Sequence, residues 1–90
     1  MRKISFSKRS ADFLTDLPSK QFKQILVSIL KLTHNPIGHD TKKMKGFDNL
    51  YRVDTGEYRV VYEFDNEVIY VDLVGKRNDG EVYNRLKRLF

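Results

Sequence analysis

Two turn signals cut the second half of this chain into strand-length pieces, and few folds accept that pattern. Asp54-Thr55-Gly56-Glu57 is the first and Phe64-Asp65-Asn66-Glu67 the second. Both collect the Gly, Asp and Asn residues that favour tight turns. The segments between them are rich in Val, Tyr and Ile, with Tyr51 opening the first strand. Loops this short join only antiparallel neighbours. The chain from Tyr51 onward is therefore predicted to be an antiparallel meander.

The first half reads differently. Residues 2–7 alternate, with Ile4 and Phe6 on one face, as a short strand does. Ser7 is placed as the N-cap of a helix over 8–16 that presents Ala11, Phe13 and Leu14. Pro18 breaks that helix and suits the first turn of the next. Apolar residues at 22, 25, 26, 29, 30 and 32 give the stripe of an amphipathic helix over 21–32. It ends before Asn35-Pro36, and 34–41 is predicted to be loop. The segment 79–90 carries Val82, Leu86, Leu89 and Phe90 at helical spacing, with Arg85, Lys87 and Arg88 opposite. The predicted order is β-α-α-β-β-β-α. It describes one α+β domain over 1–90: an antiparallel sheet, a helix hairpin packed on one face, and a short C-terminal helix.

Composition limits what such a domain can do. With 40% hydrophobic residues, the chain can bury a modest core. It has no cysteine, which excludes disulfides and thiolate chemistry and fits a reducing cytoplasm. No apolar run is long enough for a membrane span, and the N-terminus lacks the apolar stretch of a signal peptide. His34 and His39 stand in the loop with no Cys beside them, too few ligands for a zinc site. No metal and no cofactor are expected.

The net charge of +5 is unevenly distributed: +7 over 1–47, −5 over 48–74 and +3 over 75–90. A basic chain of this kind suits a polyanion, and it equally suits a solubilising surface. Arg52 and Arg59 are the only bases in the acidic middle segment. Two-residue loops at Thr55-Gly56 and Asp65-Asn66 would put Tyr51, Val53, Tyr58, Val60, Tyr62, Phe64, Ile69, Val71 and Leu73 on the helix-covered face. Arg52, Asp54, Glu57, Arg59, Glu63, Tyr70 and Asp72 would share the other. Arg52 would then oppose Arg59, an unfavourable pairing in a sheet built only for stability. A phosphate site explains it; an ion pair from Asp72, opposite Arg59 on its other side, is the alternative. Tyr83, flanked by Val82 and Leu86, reads as either core or site.

Several fragments combine into a resemblance. Lys43-Met44-Lys45-Gly46, Tyr51, Tyr58-Arg59-Val60-Val61-Tyr62, Val74-Gly75-Lys76-Arg77 and Glu81-Val82-Tyr83 follow one another before a short basic helix. In this order the chain resembles the RelE branch of the RelE/ParE toxin superfamily, over nearly its whole length. The resemblance implies a type II toxin with a cognate antitoxin. It implies entry into the ribosomal A site and metal-independent cleavage of mRNA by a 2′-hydroxyl. It extends to a higher-order toxin–antitoxin complex on operator DNA. It implies that Arg59 holds the scissile phosphate, Arg77 supports the leaving oxygen, and Tyr83 stacks on a base or takes part in proton transfer. Lys43, Lys45, Arg52 and Lys76 would contact RNA. The chain departs from the family where Arg52 and Asp54 stand at positions commonly held by lysine. Two other readings follow from the same superfamily: a ParE-like inhibitor of DNA gyrase without catalysis, and a degenerate member that only binds antitoxin.

Overall fold

The computed structural model describes residues 1–77. The predicted last helix and Tyr83 lie outside the described residues. The elements are β1 (Lys3–Phe6), α1 (Lys8–Thr15), α2 (Ser19–His34), β2 (Thr41–Lys43), β3 (Tyr51–Thr55), β4 (Tyr58–Phe64) and β5 (Val68–Lys76). The five strands form one sheet in the order β1-β5-β4-β3-β2. The α+β architecture with a helix hairpin is as predicted. The sheet, however, is mixed: β1 runs parallel to β5, and the other neighbours are antiparallel. Alternation at Ile4 and Phe6 shows that a strand exists but carries no information about its direction. β2 is a further strand, three residues long, ending in Lys42 and Lys43 at the sheet edge. Charged residues on a short edge strand discourage pairing with another chain.

The helices form for the local reasons the sequence suggests. Ser7 caps α1, its hydroxyl accepting from the Ser10 amide at 3.2 Å. The same Ser7 hydroxyl donates to the Asp72 carbonyl at 2.9 Å, and the buried Ser10 hydroxyl donates to the Val71 carbonyl at 3.2 Å. These bonds tie the start of α1 to the middle of β5. Helix α2 extends beyond the predicted 21–32 to His34 and stops at Asn35, which the following proline holds extended at φ −146°. It buries Ile25, Ile29 and Leu32, whereas Leu30 remains exposed.

One core lies between helices and sheet. Leu14, Ile25, Ile29 and Leu32 meet Val53, Val60, Tyr62, Ile69, Val71 and Val74. Tyr62 is fully buried; its hydroxyl donates to the Pro36 carbonyl, and burial pushes its pKa up to about 12. A second, smaller core was not expected. Met44, Leu50, Val61 and Leu73 pack together with Phe47 on the opposite face. The chain from Met44 to Leu50 folds back over that face, closed by a Met44 N–H bond to the Leu50 carbonyl at 2.8 Å. Gly46, at φ +83°, takes the left-handed conformation within this loop.

Leu73 belongs to the second core because β5 contains a bulge. Tyr62 pairs with Val71, but Val61 pairs with Leu73, leaving Asp72 as an extra residue. Alternation is reversed beyond it, so Val74 takes the helix-side place predicted for Leu73. The Asp72 carboxyl is partly buried and adjoins Glu63. Burial first, then the Glu63 carboxyl, push its pKa up to about 7. Such a carboxyl favours the fold while protonated. Its contribution is full below the unfolded value of 3.8 and is lost as pH rises through about 7. We expect Asp72→Asn to remove that loss. Between about pH 5 and about pH 8 the variant should gain on the order of 1–3 kcal/mol relative to the natural chain. Urea unfolding at both pH values checks this; an equal difference at both would mean that Asp72 titrates as an ordinary surface carboxyl.

Candidate functional site

The site depends on the turn between β3 and β4. Its two loop residues are Gly56 and Glu57, with Thr55 paired to Tyr58. Gly56 has φ +58° and Glu57 does not have positive φ. That sign pattern belongs to a hairpin turn with glycine first, not second. The register is therefore displaced from the one expected. Arg52 opposes Val61, and Asp54, not Arg52, opposes Arg59. The predicted Arg52–Arg59 opposition is absent. The predicted Asp72–Arg59 pair is also absent, because a displaced second turn and the bulge together set Gly75 opposite Arg59. The second turn moves likewise: the Asp65 carboxylate accepts from the Glu67 and Val68 amides, both at 2.8 Å, making Asn66 and Glu67 the loop.

The displacement keeps Arg52, Asp54 and Arg59 on one face and makes Asp54 its centre. Arg59 grips Asp54 through two N–H groups, Nε to Oδ1 at 2.8 Å and Nη2 to Oδ2 at 3.3 Å. Arg52 Nη1 donates to Oδ2 at 3.4 Å, and Arg77 Nη1 stands 4.0 Å from the same oxygen. The Arg59 side chain is 23% exposed and Arg77 46%. The Arg59 hydrogen bonds, with the field of Arg59, Arg52 and Arg77, hold the Asp54 carboxyl below its ordinary pKa against the opposing effect of burial. A carboxylate held in this way is a poor proton acceptor at neutral pH.

A cleft of about 370 Å³ opens beside this cluster, lined by Lys42, Lys43, Met44, Lys45, Arg52 and Arg59. The second core places it. Met44 and Leu50 are buried against Val61 and Leu73, so the basic run 42–45 crosses the sheet next to the arginines. Lys42 is also the Cα partner of Arg52 on β2. The structure thus brings together the predicted Lys43, Lys45, Arg52, Arg59 and Arg77. It does not bring in Lys76, which pairs with Tyr58 on the helix-side register of β5 and is exposed there. Lys42 and Asp54 are the residues sequence reasoning missed as site members. Lys42 was visible in its own basic run; Asp54 required the correct turn. His34 and His39 are exposed, and no cluster of three metal-ligating side chains occurs among the described residues.

Comparison with known proteins places this geometry. The family model for the ParE toxin of the type II toxin-antitoxin system parDE matches residues 4–80. A putative toxin RelE1 from Methanocaldococcus jannaschii is 34% identical over 79 residues, covering 82% of this chain and 88% of that protein. The chain belongs to the RelE/ParE toxin superfamily, on its RelE branch. The isolated Escherichia coli RelE toxin superposes with a TM-score of 0.76 at 25% identity, covering 100% of both chains. The toxin of the archaeal RelE–RelB complex from Pyrococcus horikoshii superposes with a TM-score of 0.73 at 25% identity, over 84% of this chain and 94% of that one. This RelE-type chain is accordingly a toxin of a toxin–antitoxin system.

The second core is what holds the basic run in place, and its removal should be measurable. Leu50→Ala is expected to cost about 2–4 kcal/mol through lost burial and a residual cavity. Ile37→Ala, at a side chain 57% exposed, should cost within about 0.5 kcal/mol. Urea midpoints of the two variants provide the check; equal midpoints would mean that the loop's packing contributes little.

Proposed function

We propose that this toxin cleaves mRNA on the ribosome, by metal-independent attack of a ribose 2′-hydroxyl on the adjacent phosphate. The observation that carries the reading is Arg59: a partly buried guanidinium, fixed along one edge by Asp54, in the lining of a basic cleft. The P–O5′ bond breaks as the P–O2′ bond forms, giving a 2′,3′-cyclic phosphate and a 5′-hydroxyl. Arg59 binds the phosphate as it gains negative charge. Arg77, on the same carboxylate cluster, supports the leaving 5′-oxygen. Lys43, Lys45 and Arg52 hold the flanking phosphates, and Lys42 joins them. Tyr83 retains the role the resemblance gives it, stacking on a base or taking part in proton transfer.

Neither Asp54 nor the arginines on it suit proton abstraction. The arginines stay protonated, and Asp54 is held ionised. Positioning is therefore strong and proton transfer weak. Such a site supports dependence on the ribosome, whose RNA can orient the 2′-hydroxyl. Purified toxin should leave free RNA essentially uncut. Action on ribosomes places the toxin in the cytoplasm; none of the described helices is long and apolar enough to cross a membrane. The Pyrococcus horikoshii relative is solved as a RelE–RelB complex, which supports a cognate antitoxin as the partner here.

A second reading has its own support, since the matching family model carries the ParE description. A gyrase inhibitor would leave mRNA intact and damage DNA. Expression of the toxin alone, with mapping of mRNA 5′ ends, separates the two. On programmed ribosomes Arg59→Ala and Arg77→Ala should each lose about 2–4 kcal/mol of transition-state stabilisation, by analogy with loss of an oxyanion donor. The circular dichroism spectrum should be unchanged. Wild-type cleavage by Arg77→Ala would remove Arg77 from the site.

A further inference from the structure

We propose that Asp54 is a positioning residue: it clamps one edge of the Arg59 guanidinium so that the other edge is presented, already oriented, to a phosphodiester. The inference rests on the ribonuclease reading and deepens it. A guanidinium has five N–H donors in a rigid plane. Asp54 occupies the Nε and one Nη2 position of Arg59. Nη1 makes no hydrogen bond to the described residues, and Arg59 lines the cleft with Lys42, Lys43 and Lys45. Gly75 is the β5 neighbour across from Arg59, so no β5 side chain stands there to restrain the guanidinium. Asp54, its β3 neighbour, is the restraint. The same carboxylate draws in Arg52 and Arg77, gathering three guanidiniums that would otherwise repel one another.

Charge and orientation make opposite predictions for the loss of Asp54. Its carboxylate subtracts one charge from a polyanion-binding surface, so removal alone should strengthen RNA binding. If it orients Arg59, removal should slow the chemical step, because even about 1 Å of misplacement costs on the order of 100-fold. Asp54→Asn keeps the size and loses the charge and one acceptor. Asp54→Glu keeps the charge and the fork.

The test has two arms. On programmed ribosomes, Asp54→Asn should cut roughly 10–100-fold more slowly at saturation, with KM unchanged or lower, and Asp54→Glu should recover part of the rate. A fall in rate with a matching rise in KM, or no fall, would overturn the proposal. The second arm needs no cleavage. The Arg59 Nε–H resonance of the free toxin should exchange slowly, stay in place when inorganic phosphate is added, and be lost in Asp54→Asn. Its survival in that variant would also overturn the proposal. A natural toxin that cuts no mRNA, yet shows this protected resonance, would defeat the ribonuclease reading and leave the clamp standing.

Discussion

Three consecutive residues of β4, Val60, Val61 and Tyr62, have no solvent exposure. Side chains alternate along a strand, so this requires a sheet covered on both faces. The helix hairpin covers one. On the other, the only cover among the described residues is the loop that hangs from Met44 and Leu50. Small domains bury little surface, and this one gains a second apolar layer from a loop of a few residues. The layer ends where Arg59 begins. The guanidinium therefore stands at the border between a closed core and an open cleft, where its field is less screened than on a free surface.

The pairs around Asp54 are poor candidates for stabilisation. Exposed and partly exposed ion pairs contribute roughly 0–1 kcal/mol, and three cations on one anion repel each other. Among the described residues, Arg52, Arg59 and Arg77 gather on the Asp54 carboxylate, and Lys42, Lys43 and Lys45 line the cleft beside it. Such a gathering of positive groups favours an anionic ligand. It has the electrostatic character of a site that awaits an anion.

Much of this was legible in the residues. The Ser7 cap, the α2 stripe at Ile25 and Ile29, and the two hairpins follow from spacing and turn chemistry. Arg52 and Arg59 stand out as the only bases of an acidic segment, whereas Arg77 rests on the resemblance. What could not be read was register. Gly56 marks a turn but does not say whether it is the first or second loop residue; its positive φ settles that only in three dimensions. Nor does an alternating pattern reveal an extra residue. Asp72 looks like one more polar position until the carbonyl bonds of Ser7 and Ser10 show the strand held out of step there. The parallel pairing of β1 is a long-range choice, made by the path of the helix hairpin and invisible in the four residues of the strand.

The bulge at Asp72 also divides the labour of β5. Upstream of it, β5 pairs with β1 as well as β4; downstream, Leu73 turns to the loop over the second face, Val74 to the helices, and Gly75 lies opposite Arg59. Ser7 holds the Asp72 carbonyl and Ser10 the Val71 carbonyl, so the step out of phase is absorbed at one place. Leu73 and Val74, the two residues that follow the bulge, are buried on opposite faces. Losing one residue downstream of Asp72 would exchange inside for outside along the remainder of the strand. The number of residues in this stretch is therefore as much a part of the fold as their identity.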